Sequence, residues 1–187
     1  MNDSLPYAMC TFCPKLCRHV CPTAVATGLE SATATAMMAA AWVAAETGIS
    51  ADPEALALCL GCGACTRHCK HHVPVAERLD VAAGRPSVPH PDATLAPIGG
   101  PTADSGRYTT CFEGSVGAPH QLACCGLRDG FVDRQPQAAH AVARENVRLL
   151  AGREVGCSRG DCAQWLKDHG ANVIFAPPGG APSRDST

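Results

Sequence analysis

The chain has 187 residues, with 15 Lys and Arg against 17 Asp and Glu, a formal net charge of −2 and a pI near 6.4. That length suits one ordinary domain or two small ones, and so even a balance excludes the broad positive field of a nucleic-acid binder. Alanine is plentiful and aromatics are only 4%, so a purely apolar core would be thin and metal centres are expected to supply part of the folding free energy.

Residues 1–9 read as a loose lead-in without the basic and apolar regions of a secretory signal. A first cysteine group follows, Cys10, Cys13, Cys17 and Cys21, as C-x2-C-x3-C-x3-C-P ending in Pro22. Ser31 is placed to cap a helix from about Ala32 to Thr47, closed by Gly48. Met37, Met38, Ala41, Trp42 and Ala45 recur on its expected buried face. This is the most apolar stretch of the chain, and it falls well short of the roughly 20 residues a spanning helix needs. Asp52-Pro53-Glu54 starts a second helix that carries Leu56, Leu58 and Leu60 into a second cysteine group. That group, Cys59, Cys62, Cys65 and Cys69, has the form C-x2-C-x2-C-x3-C. Val75 to Ala83 predicts a third short helix ending at Gly84.

Residues 84–106 are rich in Pro and Gly and read as a linker. They separate a mostly α domain over 1–83 from a small α/β domain over 107–178, with a disordered tail over 179–187. In the second domain, Arg107 to Cys111 suits a short strand. Pro136 to Ala151 suits a helix with Ala139, Val142, Ala143, Val147 and Leu150 as its apolar stripe. Cys162 to His169 suits a shorter helix, and Asn172 to Ala176 a buried strand.

All thirteen cysteines fall into three local groups. Thiolates at such close spacings suit soft metals, and the first two groups read as sites for two cubane [4Fe-4S] clusters. In two-cluster ferredoxins the fourth cysteine of each motif ligates the other motif's cluster. The same crossing here assigns Cys10, Cys13, Cys17 and Cys69 to cluster one, and Cys59, Cys62, Cys65 and Cys21 to cluster two. Cys17-Arg18-His19-Val20-Cys21 also echoes Cys65-Thr66-Arg67-His68-Cys69, as a pseudo-twofold arrangement would require. Gly61 and Gly63 let the backbone bend around an inorganic core. Lys15, Arg18, Arg67, His68, Lys70, His71 and His72 adjoin the ligands. Their charge would favour a reduced cluster, or else they form a plain solvated basic face. The other metal reading is a pair of four-thiolate zinc sites, which prefer two C-x2-C pairs separated by a finger-length spacer. A disulfide framework fits poorly with an odd cysteine number and no signal peptide.

The long helical spacer between Cys21 and Cys59 resembles the α-helical ferredoxin domain found in the iron–sulfur subunits of succinate dehydrogenase and fumarate reductase, and in heterodisulfide reductase. The third group is Cys111, Cys124-Cys125-Gly126, Cys157 and Cys162. With Gly130-Phe131, the Pro-led helix and Cys162-Ala-Gln-Trp-Leu, it resembles the cysteine-rich CCG domain. That domain also occurs in heterodisulfide reductase, in anaerobic glycerol-3-phosphate dehydrogenase, in the iron–sulfur subunits of glycolate oxidase and in lactate-utilisation proteins. The resemblance implies that Cys111, Cys124, Cys125, Cys157 and Cys162 hold a non-cubane iron–sulfur cluster. A zinc site, a redox dithiol or a degenerate remnant are the alternatives.

His120, His140 and His169 read as surface histidines, and Trp42 and Trp165 as packing residues. No phosphate-binding loop, dinucleotide fingerprint or catalytic triad is visible. The expectation is a cytoplasmic, non-catalytic electron-transfer subunit. It would take electrons from a partner, a flavoprotein dehydrogenase or reductase subunit, and deliver them to a quinone, a heterodisulfide or another carrier. It would touch a membrane only through that partner and bind no nucleic acid. The alternatives are a disulfide reductase acting at the CCG site and a zinc-stabilised interaction module without redox chemistry.

Overall fold

Helix begins ahead of the first cysteine, where the sequence suggested a loose lead-in. In the computed structural model, α1 (Leu5–Thr11) carries Pro6 in its first turn and buries Tyr7. The Tyr7 hydroxyl donates to the Arg78 carbonyl at 3.0 Å, so a far segment supplies what an aromatic with a polar tip needs. The structure describes residues 4–14, 16–85, 108–109, 125–127, 130–150, 152, 155–157 and 160–175. The chain divides into two compact units, Met1–Ala93 and Thr94–Thr187. Most of the expected 84–106 linker, and all of the 179–187 tail, lie outside the described residues.

After α1 comes a 3-10 turn (Leu16–Val20). Next is α2 (Pro22–Thr27), opened by its proline and closed by Gly28 in the left-handed region. A second 3-10 turn (Glu30–Ala32) leads into α3 (Ala34–Thr47). Its cap is Thr33, not Ser31: the Thr33 hydroxyl accepts from the Ala36 amide at 3.2 Å, while Ser31 is held inside the tighter turn. Met37, Met38 and Ala41 are buried as expected, but Ala45 is exposed. Trp42 is only partly buried, with the Phe12 ring set edge-on at 5.3 Å.

α4 (Pro53–Ala57) starts on the Asp52 carboxylate, which accepts from the Glu54 amide at 3.0 Å. It stops at Leu58, sooner than the leucine pattern suggested. α5 (Ala64–His68) lies within the second cysteine motif. α6 (Val75–Ala82) ends at Gly84, which has φ +63. Tyr7, Met37, Met38, Leu56, Val75 and Leu79 form the core of this unit, and Cys10, Cys17, Cys59, Cys65 and Cys69 pack against it. Leu56 and Leu79 are fully enclosed, each worth about 1.5–3 kcal/mol of burial.

The second unit is α/β. β1 (Tyr108–Thr109), β2 (Val155–Cys157) and β3 (Val173–Phe175) form a parallel sheet in the order β1-β2-β3. Tyr108 pairs with Val155, and Cys157 with Phe175. Parallel neighbours need a crossover, and between β2 and β3 it is a helix. α7 (Phe131–Arg134) and α8 (Pro136–Leu150) precede β2, and α9 (Gly160–Asp168) forms the crossover. α9 begins two residues earlier than its apolar pattern implied. Cys125, Leu150, Cys157, Cys162, Ala163, Leu166 and Val173 make one buried cluster. Among the described residues, no helix is long and apolar enough to cross a membrane. The fold is thus mostly α, with a small α/β second part.

Gly126 has φ +93, and a Cβ there would stand 2.7 Å from the Ala139 carbonyl oxygen. Gly28 has φ +69 with nothing within 4 Å. Gly126→Ala should therefore cost about 2 kcal/mol or more and Gly28→Ala about 1 kcal/mol. Denaturant midpoints will check the order; equal losses would mean that α8 does not crowd the Cys125-Gly126 turn.

Candidate metal centres

Two cavities in the first unit are walled by cysteines, five around the first and four around the second. Cys10, Cys13, Cys17 and Cys69 line the first, together with Met9, Thr35, His71 and Val73. Cys59, Cys62, Cys65 and Cys21 line the second, with Pro22, Met37 and Leu60. Cys65 and Val75 line both and so form the wall between them.

The local folding that places these thiols follows the two echoing segments. The 3-10 turn Leu16–Val20 packs against α5. Cys21 leaves that turn as the cap of α2, and Cys69 leaves α5 as its C-terminal cap. Because the two turns lie side by side, each chain emerges beside the other motif's first three cysteines. In between, Gly61 (φ +67) and Gly63 (φ +64) take the left-handed turns that fold Cys59, Cys62 and Cys65 around one cavity.

Burial and mutual repulsion govern the chemistry of these thiols. Burial, then the neighbouring Cys69, Cys17 and Cys13, push the Cys10 thiol up to about 12. Burial likewise lifts Cys59 to about 11, although the Gly61 amide, 3.3 Å from its sulfur, opposes the rise. Cys65 is raised well above its ordinary value by burial and by Cys62, Cys59, Cys21 and Cys17. Burial raises Cys21 against the amides of Ala24 and Thr23, and Cys17 against a hydrogen bond from Thr35. Each ring thus resists becoming a set of thiolates unless positive charge enters it.

The donor set fits an iron–sulfur guest better than a lone ion. Four thiolates on one zinc converge at about 2.3 Å from a point, whereas a cubane takes one thiolate at each of its separated irons. Among the described residues, no three His, Cys, Asp or Glu side chains are gathered as a single ion needs. Two buried side-chain polar atoms there lack a partner, Thr23 Oγ1 and Arg85 Nη2. Thr23 lies two residues from Cys21, and the Arg85 charge acts on Cys59. Thr23 therefore belongs to the segment that brings Cys21 to the second ring.

The basic residues around the rings are not equivalent. Arg18 pairs with Glu30, with both side chains more than half exposed, which removes most of its field from the first ring. Arg67 Nη1 donates to the Cys62 carbonyl at 3.5 Å. His71 lines the first cavity, and His68, Lys70 and His72 are exposed. Lys15 lies outside the described residues.

Of the third cysteine group, Cys125, Cys157 and Cys162 are buried together in the second unit's core. Cys111 and Cys124 lie outside the described residues, as does His120. His140 and His169 are not lone surface residues. His169 Nδ1 donates to the Trp165 carbonyl at 2.7 Å, and its Nε2 lies 2.9 Å from His140 Nδ1. The three rings are in contact, and the Trp165 indole donates to the Cys125 carbonyl at 3.0 Å. Trp165 and His169 stand four apart on one helical face, a signal visible in the sequence. Their link to His140 and to Cys125 depends on tertiary packing and had no local signature. Thr35 and Arg85 were missed for the same reason.

Residues 7–73 match the family model of the 4Fe-4S dicluster domain. The match covers just over a third of the chain and supports iron–sulfur binding and electron transfer by the first unit. No curated protein and no solved structure matches the chain.

A raised thiol pKa leaves less nucleophilic thiolate. In metal-free folded protein at pH 8.5, Cys10 and Cys59 should be alkylated on the order of tenfold more slowly than in the urea-unfolded chain. The sign for stability is the same: the metal-free fold loses stability as pH rises from about 9 towards about 12, because the unfolded chain releases these protons first. Peptide mass mapping after a timed pulse of iodoacetamide gives the rates, and equal rates in both states would contradict the burial and crowding described here.

Proposed function

We propose that the chain is an electron-transfer protein or subunit that holds two [4Fe-4S] clusters in its first unit. The observation that carries this reading is that each motif's fourth cysteine lines the cavity of the other motif's first three. Cys10, Cys13, Cys17 and Cys69 would hold one cluster, and Cys59, Cys62, Cys65 and Cys21 the other. The clusters supply one-electron storage. The chain's own part is to fix eight thiolates, keep water from the second ring with Met37 and Leu60, and hold the rings against one shared wall. Cys65 and Val75 in that wall support a short path between the two sites, as a relay requires. The donor is a partner protein, a flavoprotein dehydrogenase or reductase subunit, and the acceptor a quinone, a heterodisulfide or another carrier. A reducing compartment such as the cytoplasm suits thiols in this number.

A second reading concerns the 107–178 region as a CCG-type domain. Cys125, Cys157 and Cys162 are buried in one core, and together with Cys111 and Cys124 they would make up a third iron–sulfur site there. A disulfide-cleaving role for that site rests on the same residues.

Anaerobic reconstitution of the full chain should yield at least about eight irons and eight acid-labile sulfides per chain, with EPR signals on reduction. Cys69→Ser should disturb the centre held by Cys10, Cys13 and Cys17, and Cys21→Ser the centre held by Cys59, Cys62 and Cys65. A chain that retains zinc alone would overturn the proposal. So would a Cys69→Ser variant that loses only the centre of its own motif.

A further inference from the structure

α3 brings one buried hydroxyl to the first cavity. Thr35 stands in the first turn of that helix, is only 7% exposed, and lines the cavity with Cys10, Cys13, Cys17 and Cys69. The 3-10 turn that carries Cys17 packs against α3. His71, the other polar side chain besides the cysteines along this cavity, is exposed to solvent. A hydroxyl buried at such a place costs free energy unless it finds a partner. Thr11, Thr27 and Thr47 find theirs one turn back, donating to the carbonyls of Tyr7, Thr23 and Val43 at 2.9, 2.7 and 2.7 Å. Thr33 is occupied by the cap, donating to the Glu30 carbonyl at 2.8 Å while it accepts from the Ala36 amide. The Thr35 hydroxyl instead meets the Cys17 sulfur, where it works against the rise that burial gives that thiol.

The second cavity has no counterpart. Besides its cysteines it is lined by Pro, Ala, Met, Leu, Gly and Val. Its Cys59 sulfur takes a backbone amide, that of Gly61, at 3.3 Å. A side-chain donor is therefore a feature of the first site.

We propose that the Thr35 hydroxyl sets the potential of the first site, donating to the Cys17 thiolate of a bound cluster and favouring its reduced state, while the second site is left unaffected. The inference rests on the two-cluster reading. Reduction adds one electron from the partner dehydrogenase, or from dithionite in the test. No bond to the core forms or breaks, and the hydroxyl keeps its proton. The thiolate-bound core gains one unit of negative charge, and a hydrogen bond to its sulfur strengthens as that charge grows.

The test is an EPR-monitored potentiometric titration of the anaerobically reconstituted full chain, with the first site's signal identified by its change in Cys69→Ser. Thr35→Val keeps the branched shape and removes the hydroxyl. It should lower the reduced-to-oxidised ratio of the first site about tenfold at fixed potential, a shift of about 59 mV for a one-electron couple. The second midpoint should stay in place. Thr35→Ser, which keeps the donor, should recover most of the loss. A hydroxyl that only fills space would leave the midpoint unmoved in Thr35→Val. An unmoved or raised first midpoint in that variant, equal shifts at both sites, or a fall in Thr35→Ser as large as in Thr35→Val overturns this inference alone. Should Thr35→Val lose the first signal, Thr35→Ala is read by the same criteria. Should both lose it, retention in Thr35→Ser supports the donor role, and loss in all three overturns it in favour of packing. Absence of both signals from the unsubstituted chain overturns the two-cluster reading and this inference with it.

Discussion

Eight sulfurs are packed into two adjoining rings in a unit whose interior is too poor in large apolar side chains to ignore them. Left as thiols, Cys10, Cys17, Cys59, Cys65 and Cys69 pack against the core that holds Met37, Val75 and Leu79. As thiolates they would repel one another across each ring and suffer from burial, as the rise at Cys10 and Cys65 records. Positive charge placed inside the rings removes both costs together. The arrangement therefore makes metal binding and folding one problem for this unit.

That constraint accounts for the brevity of the helices. α4 and α5 have five residues each and α2 has six, far below the length at which a helix holds itself in water. Each is anchored at a point fixed for another reason: Pro22 directly after Cys21, the Asp52 carboxylate ahead of Pro53, and Cys65 within α5. Among the described residues of this unit only α3 is long, and it serves as the platform, with Met37 lining the second cavity and Thr35 the first. Tyr7 then ties α1 to α6 through the Arg78 carbonyl.

Local chemistry was readable wherever it decided the outcome. Gly48 and Gly84 stop their helices, Asp52-Pro53 starts one, and the cysteine spacing marks the two rings. Ser31 misled because two hydroxyl residues stand close together and the choice between them is tertiary. Burial of Ala32 and Thr33 draws the chain into a 3-10 turn and hands the cap to Thr33. α1 was missed because its apolar face is short, and Leu5, Met9 and Phe12 remain exposed on its other side. β2 was missed because Val155-Gly156-Cys157 becomes a strand only when β1 and β3 flank it. His140 and His169 are far apart in sequence, and nothing local indicates that α8 and α9 bring their rings together.

The two rings are built differently, and the difference bears on what a pair of centres held in them would do. The first has Met9 and His71 at its edge, both open to solvent. The second is lined by Pro22, Met37 and Leu60. Water and mobile charge therefore reach the first ring more readily, whereas the second sits in a drier, apolar setting. Solvent exposure, net charge and hydrogen bonding are the levers by which proteins separate the potentials of like clusters. An internal echo that places two equal ligand sets side by side would give equal centres. The departures from that symmetry, a histidine-rich turn after Cys69 and an apolar lining of Met37 and Leu60 around the second ring, make the two sites unequal.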